Sequence, residues 1–133
     1  MIEINNKTKA KIDVRLIEKV AEKFLRYYKL KNKNISIAFV GDTVMRRLNK
    51  QNRGKDKATD ILSFAGEGSD FGEIIIDFAQ IRRQAPKYSK SAKEELIFIL
   101  VHGLLHLLGY DDDTEEKRLE MIGIGEEFIG RNV

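Results

Sequence analysis

Residues 101–113 read Val-His-Gly-Leu-Leu-His-Leu-Leu-Gly-Tyr-Asp-Asp-Asp. Both histidines of the chain, His102 and His106, lie in this stretch, four residues apart. Residues i and i+4 share one face of an α-helix, so the two imidazoles are predicted to point at one spot. Gly109 predicts the end of that helix and a turn. Two imidazoles and a carboxylate from beyond the turn would form a three-ligand site with open positions, the layout of a catalytic zinc.

Three aspartates follow the turn, Asp111, Asp112 and Asp113, and all lie within reach of the histidines. In a locally extended chain the first and third point to one side and the second to the other, so only some can coordinate a metal. Spacing alone does not choose among them. The alternative is that both histidines are core residues hydrogen-bonded to carbonyls. Their apolar surroundings favour a metal site, because a buried polar pair needs a compensating partner.

The residue after the first histidine is Gly103. Zinc peptidases of the HExxH type carry their general base, a glutamate, at this position. Proteolysis is therefore disfavoured. The glycine has two interpretations: it leaves open space beside the metal for a bulky substrate, or it allows close helix packing. A glycine inside a helix costs roughly 1 kcal/mol relative to alanine, so either role needs a benefit that offsets this.

Length and composition predict one domain, residues 1–133, with a substantial core. Hydrophobic residues make up 42% of the chain, which excludes a disordered protein. The longest apolar run, residues 96–108, is too short to span a membrane, and residues 1–10 contain no apolar signal segment. The absence of cysteine excludes disulfides and thiolate metal ligands. We therefore expect a cytoplasmic protein without membrane attachment.

Charge is distributed unevenly along the chain. Residues 111–133 hold eight acidic and three basic side chains, a net −5, so residues 1–110 must carry +8 to give the total of +3. Such a balance is compatible with a polyanionic partner, such as nucleic acid, and equally with solvated helix faces.

One arginine is a candidate for binding a phosphodiester. A guanidinium matches the oxygens of a phosphate in a two-pronged way. Arg53 lies in a polar, basic loop before a predicted strand, with Lys55 and Lys57 as weaker alternatives. From the residues alone it is no better supported than Arg46 or Arg47 on a predicted helix.

Hydrophobic spacing predicts the order β-α-β-α-β-β-α-α, with a further short helix beginning at residues 79–83 and ending before Pro86. The strands are predicted at residues 2–5, an edge strand, and at 35–40, 59–64 and 72–78. The main helices are predicted at residues 13–28, 42–51 with Asp42 or Thr43 as cap, 91–108 and from 114 onward. The expected fold is α+β and zincin-like: a small mixed sheet of about four strands, at least one antiparallel, with the metal site on a central buried helix.

Three motifs resemble those of the YbeY family, bacterial metal-dependent endoribonucleases that mature ribosomal RNA. The first is His-Gly-Leu-Leu-His-Leu-Leu-Gly-Tyr-Asp at residues 102–111. The second is Arg-Gly-Lys-Asp-Lys-Ala-Thr-Asp-Ile-Leu-Ser-Phe at residues 53–64. The third is Gly-Glu-Ile at residues 72–74, where the family usually has aspartate in the middle. Length and element order match over nearly the whole chain.

This resemblance implies roles for particular residues. The family's metal site uses three histidines spaced HxxxHxxxxxH, which fall on His102, His106 and Asp112. One zinc per chain is therefore expected, held by two histidines and an aspartate in place of the third histidine. An aspartate oxygen is a competent zinc ligand, although a harder, more anionic site could favour another divalent metal. The family arginine implicated in RNA cleavage falls on Arg53.

The function implied is that of a metal-dependent single-strand endoribonuclease acting in ribosomal RNA maturation. Its expected partners are a ribosomal RNA precursor and a ribosomal subunit or ribosomal proteins. Two alternatives remain: another metallohydrolase acting on a peptide or small molecule, and a non-catalytic, ribosome-associated RNA-binding protein whose metal site has decayed through Asp112.

Overall fold

A computed structural model describes residues 1–133. The elements are β1 (Ile2–Asn6), α1 (Val14–Tyr27), β2 (Asn34–Val40), α2 (Asp42–Arg53), β3 (Ile61–Ala65), β4 (Asp70–Asp77), α3 (Phe78–Gln84), α4 (Ala92–Leu107) and α5 (Glu115–Asn132). A 3₁₀ turn, Ala85–Tyr88, joins α3 to α4. The short helix α3 ends before Pro86, as predicted, because proline cannot continue the hydrogen-bonding pattern.

The four strands form one mixed sheet in the order β1-β2-β4-β3. β1 pairs with β2 and β2 with β4 in parallel, whereas β3 and β4 form an antiparallel hairpin. This arrangement confirms the predicted α+β class, the edge position of β1 and the antiparallel pairing of the last two strands. β4 is central because its apolar residues are buried from both faces of the sheet.

Several predicted boundaries were wrong by a few residues. β3 begins at Ile61 rather than Thr59, because its pairing with β4 begins there, and β4 begins at Asp70 rather than Gly72, because Asp70 pairs with Asn34 of β2. α2 continues to Arg53 and ends where Gly54 takes a left-handed conformation, with a φ of 70°. The cap of α2 is Gly41, which makes no side-chain bond, rather than Asp42 or Thr43.

The main core fills the space between one face of the sheet and helices α1, α4 and α5. α4 contacts β3, β4, α1, α3 and α5, which makes it the central helix. Its predicted capping box is present: the hydroxyl of Ser91 accepts from the backbone N–H of Glu94, and the Glu94 carboxylate accepts from the N–H of Ser91. No helix combines the length and apolar character needed to cross a membrane.

A second, smaller core lies on the opposite face of the sheet, under α2. Successive strand residues point to opposite faces, so Ile74 and Ile76 enter the main core while Ile75 enters the small one. Met45 of α2 packs there against Leu62 of β3. The sheet is thus covered on both faces, and α4 lies on the face opposite α2.

Asp77, at the end of β4, is a fully buried carboxyl group outside the predicted site. Its Oδ1 accepts a hydrogen bond of 3.2 Å from the backbone N–H of Gln80 and so caps α3. Burial raises the pKa of Asp77, and the neighbouring Asp42 carboxyl group raises it further, to about 7. The hydrogen bonds from Arg83 to Asp42 hold the pKa of Asp42 down, at about 2.

Candidate metal centre

The two histidines lie on the last turns of α4, with ring centroids 4.9 Å apart and ring planes at 85°. The side chains are 17% exposed for His102 and 29% for His106. They therefore lie at the edge of the core rather than inside it. The two side chains share one face of α4, as the i, i+4 spacing predicted, and that face opens to solvent.

A Schellman turn ends α4 and returns the chain toward the histidines. Gly109 has a φ of 104°, a left-handed conformation that favours glycine. Its N–H donates to the carbonyl of His106 over 2.9 Å, and the N–H of Tyr110 donates to the carbonyl of Leu105 over 3.2 Å. These two bonds define the motif and fix where the following aspartates lie.

Only one of the three aspartates lies against the histidines. Asp112 Oδ2 is 3.2 Å from His102 Nε2 and 3.4 Å from His106 Nε2. The Asp111 carboxylate instead accepts from the N–H of Asp112, and Asp113 pairs with Lys117 over 3.3 Å. One donor atom from each of His102, His106 and Asp112 lies within 4.8 Å of the other two.

The hydrogen bonding of His106 directs its Nε2 toward the carboxylate of Asp112. Its Nδ1 lies 3.1 Å from the carbonyl oxygen of Tyr110, which can only accept, so Nδ1 carries a hydrogen. In a neutral ring Nε2 is then an acceptor, and it faces a second acceptor, Asp112 Oδ2. Either a proton on Nε2 or a metal ion must separate them. Donors at about 2.1 Å from a tetrahedral zinc are about 3.4 Å apart, close to the two distances from Asp112 Oδ2 to the histidines, so the group is compatible with such an ion.

The Asp112 carboxyl group is held in its anionic form. Partial burial by itself would raise the pKa of Asp112, because it disfavours the charge. The hydrogen bond to His102 and the charge of His106 outweigh burial, and the pKa lies below its usual value. An anionic carboxylate next to two imidazoles is a donor set for a divalent cation.

The three side chains open into a cavity of about 680 Å³. Its walls come from the end of α2, from β3, from the second half of α4 and from α5. Arg53, the last residue of α2, is exposed and lines this cavity without forming an ion pair. Arg46 instead pairs with Asp56 over 2.7 Å, and neither it nor Arg47 lines the cavity. Lys55 and Lys57 do not line it either.

Comparison with known proteins agrees with the geometry of the cluster and its cavity. A family model described as Endoribonuclease YbeY matches residues 3–132. The chain belongs to the YbeY family. This membership confirms the predicted family and, with it, the prediction of a hydrolytic nuclease.

Individual relatives of the YbeY family span most of the chain. The endoribonuclease YbeY of Persephonella marina is 33% identical over 129 residues, covering 92% of this chain and 84% of its own. That of Geobacillus thermodenitrificans is 41% identical over 111 residues, covering 73% and 71%. The solution structure of a Thermotoga maritima protein has a TM-score of 0.66 at 27% identity and covers 98% of this chain and 91% of its own.

The expectation that Gly103 leaves open space beside the metal for a substrate is wrong. A Cβ atom at this position would lie 2.5 Å from Cδ1 of Ile61 and 3.1 Å from Oγ of Ser63. The hydroxyl of Ser63 also donates to the carbonyl of Gly103 over 3.3 Å. In this YbeY-family chain the glycine therefore serves close packing of α4 on β3, which was the alternative interpretation.

Two charged residues of the cavity escaped the sequence reasoning, Asp60 and Arg118. Asp60 lies inside the second YbeY-like motif, and its Oδ2 accepts a 3.0 Å hydrogen bond from Gln84. The same nitrogen of Gln84 also donates to the buried Glu95 near the start of α4. Gln84 therefore links Asp60 to the first turn of α4. Arg118 had one sequence signal, its i, i+3 spacing from Glu115, which indicates a helix-surface pair and nothing about a cavity.

Proposed function

We propose that residues 1–133 form one hydrolase domain that acts as a metal-dependent single-strand endoribonuclease in ribosomal RNA maturation. The observation that supports it most is a His-His-Asp cluster opening into the same cavity as the unpaired guanidinium of Arg53, in a chain of the YbeY family. His102, His106 and Asp112 would hold one zinc ion.

A zinc ion bound there would supply a water of lowered pKa or polarise a phosphoryl oxygen. The chain's own residues position the remaining parts. The carbonyl of Tyr110 fixes the tautomer and orientation of His106, so that Nε2 points into the site. Arg53 would bind the oxygens of the scissile phosphate and balance the charge that develops on them. The anionic Asp112 reduces the net charge of the site, so another divalent metal is the alternative occupant.

The substrate and partners of this chain follow from charge and family. Residues 1–110 carry +8, which suits a phosphodiester backbone and predicts salt-sensitive binding. Relatives that match over most of the chain are named endoribonucleases. We propose a ribosomal RNA precursor as the substrate, a ribosomal subunit or ribosomal proteins as partners, and the cytoplasm as the site of action.

Metal analysis paired with a cleavage assay on a ribosomal RNA precursor tests this function. We expect the wild-type protein to hold a full equivalent of metal and to cut the RNA, and chelation to abolish cutting. Arg53→Ala should keep its metal and lose cleavage. Arg47→Ala is the matched control, because Arg47 is an exposed arginine of the same helix outside the cavity. Undiminished cleavage by Arg53→Ala, or by the chelated protein, would refute the corresponding role.

The same preparation separates the alternatives. Turnover of a peptide or ester panel without RNA cleavage would favour another metallohydrolase. A protein that holds no metal but binds the RNA would favour the non-catalytic interpretation. Asp112→His should keep or tighten zinc binding if residue 112 is a ligand, and loss of zinc in that variant would exclude Asp112 from the ligand set.

A further inference from the structure

The cavity of the metal centre contains a second guanidinium, that of Arg118 on α5. α4 contacts both β3 and α5. Arg53 at the end of α2, the two histidines of α4 and Arg118 of α5 thus line one cavity from three different helices. The other charged groups that line the cavity are Asp60 and Asp112, and these two arginines are the only arginine or lysine side chains in its lining.

The Arg118 side chain is oriented and still has donors to offer. Its Nε donates to Glu115 Oε2 over 3.0 Å, and its Nη2 donates to Oε1 over 2.7 Å. A guanidinium has five N–H donors, so this pairing uses two and leaves three, including both on Nη1. The side chain is 46% exposed. The pair with Glu115 thus holds the group in one orientation and leaves the Nη1 edge available.

The surroundings of Arg118 explain why a cation at this place matters. Residues 111–133 carry a net charge of −5. A nucleic-acid strand that passes the metal cluster on the α5 side meets Asp111, Asp113 and Glu116, all exposed carboxylates that repel a phosphate. On that side Arg118 is the one cation that reaches the cavity.

We propose that Arg118 is a second phosphate-binding residue, which holds a phosphate of the substrate strand on the α5 side of the cavity while Arg53 holds one at the end of α2. The inference rests on the proposed function and extends it. The ligand is a single-stranded polynucleotide that crosses the end of α4 in an extended path. A substrate with only the scissile phosphate lacks the second contact and binds more weakly.

Binding of a short, fluorescently labelled, 2′-O-methyl single-stranded RNA by the metal-loaded protein, measured by anisotropy over a salt series, tests this. Arg118→Gln should weaken binding about tenfold, the effect of one charged hydrogen-bonded contact. It should also lower the slope of log affinity against log salt by about 0.7, the value for one phosphate contact on a single strand. The thermal midpoint should not change.

Two control variants make the result specific. Arg131 pairs with Glu127 over 3.0 Å on the same helix but does not line the cavity, so Arg131→Gln should leave binding unchanged. Glu115→Gln removes the carboxylate but keeps the Arg118 cation, and should leave binding equal to or tighter than wild type. If Glu115→Gln and Arg118→Gln lose equal RNA affinity, the effect comes from losing the Glu115–Arg118 ion pair and not from losing a phosphate contact. That result would overturn the proposal.

The outcomes separate this inference from the proposed function. If the wild type cuts ribosomal RNA precursor and Arg118→Gln binds with the wild-type affinity and salt slope, only the inference fails. If the wild type binds the probe through Arg118 but never cuts RNA, the nuclease function fails and the phosphate site stands. If the wild type does not bind the probe, the inference fails, and cleavage of the ribosomal RNA precursor alone decides the nuclease function.

Discussion

Substituting alanine for Gly103 tests the contact that holds the histidine helix against the sheet. The new Cβ would lie 2.5 Å from Cδ1 of Ile61 and 3.1 Å from Oγ of Ser63. The Ile61 atom is the end of a flexible side chain and can rotate away. The hydroxyl of Ser63 is bonded to the carbonyl of Gly103, so it moves only by giving up that bond.

Two opposing effects set the magnitude. Alanine favours the helix by about 1 kcal/mol relative to glycine. Forcing a methyl group into a packed interface costs about 1–3 kcal/mol. The net expectation for Gly103→Ala is a loss of up to about 2 kcal/mol in the free energy of unfolding, as overpacking outweighs propensity.

The matched control is Gly123→Ala. Gly123 lies inside α5 and is exposed, and no neighbouring atom lies within 4 Å of the position that its Cβ would take. The free energy of unfolding of Gly123→Ala should therefore rise by the whole helix-propensity difference, about 1 kcal/mol. Urea denaturation of the two variants and the wild type, followed by circular dichroism, measures both changes in one series.

The sign of the difference decides the result. If Gly103→Ala is stabilised as much as Gly123→Ala, α4 and β3 are not in close contact at this position. The reasoning would then be refuted, and the idea of free space beside the metal would be restored.

Three further changes probe other parts of the molecule. The pKa of Asp77 is about 7, against an ordinary value of 3.8. Between these two pH values the folded chain holds a proton that the unfolded chain lacks, so the free energy of unfolding should fall as the pH rises from 3.8 to about 7. The fall is at most about 4 kcal/mol. Asp77→Asn cannot ionise, so its free energy of unfolding, measured by urea titration, should change little over the same pH range. A pH dependence equal to that of the wild type would contradict the raised pKa of Asp77. Ser91→Ala removes half of the capping box of α4 and should destabilise the chain by about 1 kcal/mol in the same assay, and unchanged stability would mean that the box contributes nothing. His106→Ala should reduce the metal found by elemental analysis to a trace, and a full equivalent in that variant would exclude this imidazole as a ligand.

The features that sequence predicted well are those set by local chemistry. The i, i+4 spacing of His102 and His106 fixes a shared helix face whatever surrounds it. Gly109 and the capping residue Ser91 mark the end and the beginning of α4 because each satisfies backbone groups within a few residues. Alternating and continuous apolar runs identified the four strands and the hairpin between the last two.

Spacing alone could not choose among three adjacent aspartates, because the turn sets where each side chain lies; the family resemblance pointed to Asp112, which the structure places against the histidines. The features that the sequence missed depend on partners distant in the chain. The role of Gly103 is set by Ile61 and Ser63, more than three dozen residues earlier. Arg118 reaches the cavity only because α5 packs on α4, and no local pattern encodes that contact.

All three candidate donors come from one eleven-residue segment, residues 102–112. An ion bound there closes a short loop and ties no remote strands or helices together, so it restricts the denatured chain very little. The same segment keeps its donors near one another after denaturation and can retain some affinity for the ion. Metal occupancy would therefore protect the native state by less than the affinity suggests, leaving the fold to depend on its apolar interior.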